Sequence, residues 1–150
     1  LQLMKDTRDM LESSELGNLR DALTSIANIQ GIVSSPVRNC IPEKDEPVTK
    51  DMLRTYVLAM TVELMEFLQT LDWKPWKNKA VINEERVIDE FADILAFQGV
   101  IIYYLRRMGI TPERLAKGYA KKSVENISRF LGERELEYRQ ANLFDEGELK

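Results

Sequence analysis

Glu63 and Glu66 in the run VELMEFLQ, and Glu90 and Asp93 in VIDEFADIL, are carboxylates set among apolar neighbours. An ionised carboxylate carried into a helix core is costly, so such groups are paired, protonated or bound to metal. Residues three apart on a helix occupy neighbouring positions of one face, so each pair offers two oxygen ligands on one side. A divalent cation would neutralise both pairs at once. The chain has no histidine and a single cysteine, Cys40. The commonest zinc ligand is therefore absent and no intramolecular disulfide can form. Hard oxygen donors favour Mg2+, with Mn2+ as a substitute, and both ions suit phosphate chemistry.

The elements that must position these acids read as helices. Strand-period alternation is nearly absent, while apolar residues recur at three- and four-residue spacing. A first helical region is expected from Leu3 to about Val33, with a break near Ser13 to Gly17. Three prolines between Ser34 and Pro47 predict an irregular connection. The second helix should open on Thr49 as N-cap and run through Leu71. The third should open on Asn83, with Glu84 and Glu85 complementing the helix dipole, and end near Gly109. Pro112 suits the first position of a fourth helix, and the charged tail beyond Gly132 is expected to be solvated helix or frayed. Around an antiparallel hairpin turning between Pro75 and Ile82, the two acid pairs stand at comparable height and can face each other.

Helices two and three look apolar almost all round. They predict an all-α bundle in one domain over residues 1–150, its core completed by a homodimer or a larger even oligomer. The apolar run Ile94 to Leu105 is shorter than the roughly 20 residues that span a bilayer, so no membrane partner is expected. With 21 Lys and Arg against 25 Asp and Glu, the net charge is −4. That balance argues against a nucleic-acid partner bound through a broad basic surface. No signal-peptide pattern is visible, which suits the cytoplasm of a bacterium or of a phage-infected host.

The E-x-x-E followed by E-x-x-D arrangement resembles the signature of the all-α nucleoside triphosphate pyrophosphatases, the superfamily that includes MazG-like enzymes and the dimeric all-α dUTPases. WKPWK, from Trp73 to Lys77, is similar to the Trp-Lys-rich segment of the dUTPase branch. Lys122, Asn126 and Arg129 resemble its K-x-x-x-N-x-x-R element. The resemblance implies a bundle of that type and Mg-dependent cleavage of dUTP to dUMP and pyrophosphate. Glu63, Glu66, Glu90 and Asp93 would then be the catalytic metal ligands. It also implies a base contact from the N-terminal helix, for which Gln30 is the candidate.

Lys74, Lys77, Lys122 and Arg129 could meet phosphates, Asn126 a sugar hydroxyl or phosphate, and Trp73 and Trp76 a nucleobase. Each has a plainer alternative. Lysines after a helix cap its C-terminal dipole, tryptophans most often pack, and Gln30 and Asn126 suit an exposed helix surface. The four acids themselves could be ordinary helix acids. Two further functions stay open: pyrophosphatase action on dCTP or a purine deoxynucleotide, and a non-catalytic helical interaction module.

Overall fold

In the computed structural model, residues 2, 5, 9, 14–34, 46–74, 76 and 81–145 are described, with side chains described as far as Gly132 and Ser34 excepted. Four helices organise them: α1 (Ser14–Ser34), α2 (Lys50–Thr70), α3 (Glu84–Arg107) and α4 (Pro112–Asp145). Gln2, Lys5 and Asp9 are helical too, and no strand occurs among the described residues. The fold is the expected all-α one. The break expected near Ser13 to Gly17 is corrected over its described part, because Ser14 through Gly17 already form the first turn of α1, with Glu15 suiting its N-terminal dipole. Ser13, most of the expected irregular connection, Cys40, Pro75 and Lys77 lie outside the described residues.

The helix boundaries follow from local chemistry. Thr49 is extended, and its hydroxyl accepts the Met52 N–H at 3.3 Å. Asn83 Oδ1 likewise accepts the Arg86 N–H at 3.2 Å. Both side chains satisfy a backbone donor that the first turn leaves without a partner. At the end of α3, Gly109 turns left-handed with φ 85°. This lets Gly109 N–H donate to the Arg106 carbonyl at 3.0 Å and Ile110 N–H to the Leu105 carbonyl at 2.8 Å, the pattern of a Schellman cap. After α2 the chain turns at Asp72, φ 45°, a left-handed conformation that Asp adopts more readily than bulky residues do.

Contacts divide the chain into two units, one of Asp21–Pro112 and one of Leu1–Arg20 with Glu113–Lys150. In the first, α2 and α3 pack as an antiparallel hairpin. Aromatic rings lock its register: Phe67 meets Phe91 near the turn at 5.6 Å, and Tyr56 meets Tyr104 at the far end at 5.2 Å and Phe97 at 6.3 Å. Offset and tilted rings of this kind stabilise beyond simple area burial. Ala27, Ile94, Val100, Ile102 and Tyr104 are buried.

The α1 segment of this unit seats on α3 through a close approach. A methyl group at Gly99 would lie 2.6 Å from Gln30 Cγ and 2.9 Å from the Ile26 carbonyl oxygen, and one at Gly31 would lie 3.1 Å from the Tyr103 ring. Arg106 donates to Asn28 Oδ1 at 2.8 Å beside this contact. Because part of the Gly99 obstruction is backbone, α1 must move to admit a side chain. Gly99→Ala should therefore destabilise the protein by about 1–3 kcal/mol, read as a lower denaturation midpoint. An unchanged midpoint would refute the contact.

One expectation is corrected. The acids were expected in a helix core, yet α2 buries no residue completely, and the described residues include no buried polar or charged side chain. Leu58, Val62, Leu64 and Met65 on α2, and Ile88 and Phe91 on α3, are exposed. Both helices are apolar around much of their surface, but a single hairpin covers only the facing stripe of each. The acids therefore stand beside open apolar surface, reached by water.

In the second unit, α4 carries exposed i,i+4 and i,i+3 pairs: Glu113 with Lys117 at 2.8 Å, and Glu125 with Lys121 at 3.8 Å and Lys122 at 3.3 Å. The hydrogen bond from Lys117, reinforced by its charge, holds Glu113 below the usual carboxyl range. Among the described residues no helix is long and apolar enough to cross a membrane.

Candidate metal and phosphate site

The register of the hairpin decides which acids meet. Glu63, midway along α2, faces α3 where Glu90 and Asp93 occupy successive turns of one face. Carboxylate oxygens of the three all lie within 4.8 Å of one another. Glu63 and Glu90 are half-buried and Asp93 is exposed. Glu66, rotated about 60° around α2 from Glu63, is exposed and stands outside this grouping. It remains near enough to act on Glu63 through its charge.

Glu63 holds its proton above the ordinary carboxyl range. Partial burial is the first cause, and the charges of Asp93, Glu66 and Glu90 follow in that order. Three clustered oxygen donors, one already short of counter-charge, fit a hard divalent cation rather than a soft one. The raised pKa gives a signed prediction. The folded metal-free protein binds more protons than the unfolded chain between the ordinary pKa and the raised one, so its stability falls as pH rises through that window. A divalent cation stabilises the ionised carboxylates and should flatten this slope. Melting curves recorded across that range with and without Mg2+ check it, and identical slopes would contradict it.

Arg86 is a neighbour of the acids that spacing alone did not single out. Its Nη2 lies 3.9 Å from Glu90 Oε1. Residues 86, 90 and 93 stand at i, i+4 and i+7, which is one face of a helix. That periodicity is the signal by which the sequence could have disclosed it.

The other candidates sit on α1, in the segment after α2 and on α4. Gln30 is half-buried at the Gly99 contact between α1 and α3. Trp73 and Trp76 are exposed and pair edge to face at 6.2 Å, and the Lys74 ammonium stands 5.4 Å from the centre of the Trp73 ring. Met65, Gln69, Asp72, Trp73 and Lys74 line a cleft of about 340 Å³. Rotation along α2 turns Met65 roughly opposite to Glu63 and Gln69 about 120° from it. The part of the cleft wall that α2 supplies is therefore on another side of that helix than Glu63. Lys122, Asn126 and Arg129 lie on α4 in the second unit, all exposed, with Lys122 donating to Glu125.

Against known families, the model described as dUTPase matches residues 22–106, more than half of the chain. The match spans α1 from its third turn as far as Arg106 in the last turn of α3, and so includes Gln30, all four acids and the Trp-Lys segment. Lys122, Asn126 and Arg129 fall beyond it. Neither the curated proteins nor the solved structures gave a match.

Proposed function

Because the chain belongs to the all-α dUTPase family, and is thus a nucleoside triphosphate diphosphatase, we propose that it hydrolyses dUTP to dUMP and pyrophosphate with Mg2+. The observation that carries this reading is the meeting of Glu63, Glu90 and Asp93 within 4.8 Å inside the segment that defines the family. These three, with Glu66 beside them, are the residues that would hold Mg2+ or, in its place, Mn2+. A divalent ion, when bound there, would offset charge on the phosphates and lower the pKa of an attacking water.

The chain's own groups supply the rest. Water adds at one phosphorus of the α–β bridge, the bond from that phosphorus to the bridging oxygen breaks, and the other fragment departs with the bond's electron pair, giving dUMP and pyrophosphate. Glu63 or Glu66 accepts the water's proton, and no covalent nucleophile is needed. Gln30, Trp73 and Trp76 are the proposed base contacts. Lys74, Lys77, Lys122, Asn126 and Arg129 are the proposed phosphate and sugar contacts. The working form is a homodimer or a larger even oligomer, acting on nucleotides in the cytoplasm without nucleic-acid or membrane partners.

Pyrophosphate release from dUTP, dCTP, dTTP, dATP, dGTP and UTP, with a chelator control, tests the reading. Selective, chelator-sensitive turnover of dUTP is expected. Preference for another deoxynucleotide would reassign the base, and turnover of none would return the chain to a non-catalytic helical module.

A further inference from the structure

We infer that Arg86 is a phosphate-binding residue of this site, held in the nucleotide-free protein as a counter-ion to Glu90. The inference rests on the reading of the site as a nucleoside triphosphate diphosphatase centre and adds a residue to it.

Its starting point is an uneven ion pair. Arg86 Nη2 lies 3.9 Å from Glu90 Oε1, with the arginine side chain 61% exposed and the glutamate 18%. A pair this long with one arm in solvent is weak and easily exchanged. The guanidinium is stationed at the acids without being locked to them. Glu90 groups with Glu63 and Asp93, so once Glu90 ligates a cation its oxygen is taken and Arg86 is released at the edge of the site.

Placement on α3 makes the released group useful. Arg86, Glu90 and Asp93 share one face, whereas Glu84 and Glu85 are rotated about 160° and 100° away from Arg86. Arg86 is therefore the charged residue of the first turn that faces with the acids. Its backbone N–H is held by the Asn83 cap at 3.2 Å, which fixes the start of the helix from which the side chain extends. In the antiparallel hairpin it stands one turn nearer the α2–α3 turn than Glu90.

Charge balance then identifies the ligand. One or two divalent ions set against three carboxylates leave most of the charge of a triphosphate unmet. A guanidinium supplies fixed positive charge and a planar fork that donates to two phosphate oxygens together. The exchange runs from a carboxylate oxygen to phosphate oxygens, and the donor stays the same.

Calorimetry on the full chain tests this with two ligands: Mn2+ alone, and α,β-imido-dUTP at saturating Mg2+. Arg86→Ala should weaken binding of the analogue at least tenfold. Mn2+ affinity should be unchanged or tighter, because a cation that competes for Glu90 has gone. Arg86→Lys should recover only part of the loss, since an ammonium lacks the fork. A loss of tenfold or more with Mn2+ binding not weakened supports the inference. A smaller loss, or a parallel weakening of Mn2+ binding that marks a merely structural role, overturns it. If the wild-type protein fails to bind the analogue, the dUTP reading of the site falls and this inference with it. Equal binding by wild type and Arg86→Ala refutes Arg86 alone.

Discussion

Replacing Glu63 by Gln, or Asp93 by Asn, should lower pyrophosphate release from dUTP about a thousandfold, on the order of 4 kcal/mol in the barrier. Each change keeps the shape of the side chain and removes one anionic ligand from a trio whose oxygens lie within 4.8 Å. The same variants should fold. In the metal-free protein Glu63 is held against the charges of Asp93, Glu66 and Glu90, so neutralising it relieves repulsion instead of breaking a favourable pair. Lost turnover with an unchanged or raised melting temperature is the expected pattern, read by steady-state assay and thermal melting. Retained turnover in both variants would remove the carboxylates from the chemistry.

The second large effect concerns assembly. Leu58, Val62 and Met65 follow one another at i, i+4 and i+7 along α2 and are 67%, 55% and 50% exposed. In the proposed assembly this continuous apolar stripe is the surface that a second copy of the chain would cover. Burying one such side chain contributes about 1.5–3 kcal/mol. Two aspartates, Leu58→Asp with Val62→Asp, enter a two-fold interface twice and should weaken it by at least about 10³-fold. Light scattering at micromolar concentration should give a dimer or larger even oligomer for the wild type and a monomer for the double variant. A monodisperse wild-type monomer would refute the assembly, and an unchanged mass in the variant would move the interface elsewhere.

Local rules carried the helices a long way. Thr49 and Asn83 cap where their side chains and the following turns suggest, Pro112 opens α4, and Gly109 closes α3. Three- and four-residue spacing also placed each acid pair on its helix. The incomplete burial of those acids was not legible, because an apolar face seen in sequence does not say whether the same chain covers it. Nor was the separation of Glu66 from the other three, which depends on how far the hairpin rotates each helix. The Gly99 contact is legible only once α1 is known to cross α3 there. Arg86 shares the i,i+4,i+7 face of Glu90 and Asp93, but among the mixed charges of a first turn its role needs the measured distance.

Resemblance and physics divide the work in the same way. Acid spacing pointed to a divalent cation and phosphate chemistry, while the Trp-Lys segment and the last-helix element pointed to the dUTPase branch. The family match covers the first of these elements together with the acids, and it ends before the second.

The most direct test of the central claim is a diffraction experiment on crystals grown with Mn2+, collected at the manganese absorption edge. The structure predicts an anomalous peak within coordination distance, about 2.0–2.6 Å, of carboxylate oxygens from Glu63, Glu90 and Asp93. A peak elsewhere, or none at these residues in crystals soaked with millimolar Mn2+, would contradict it.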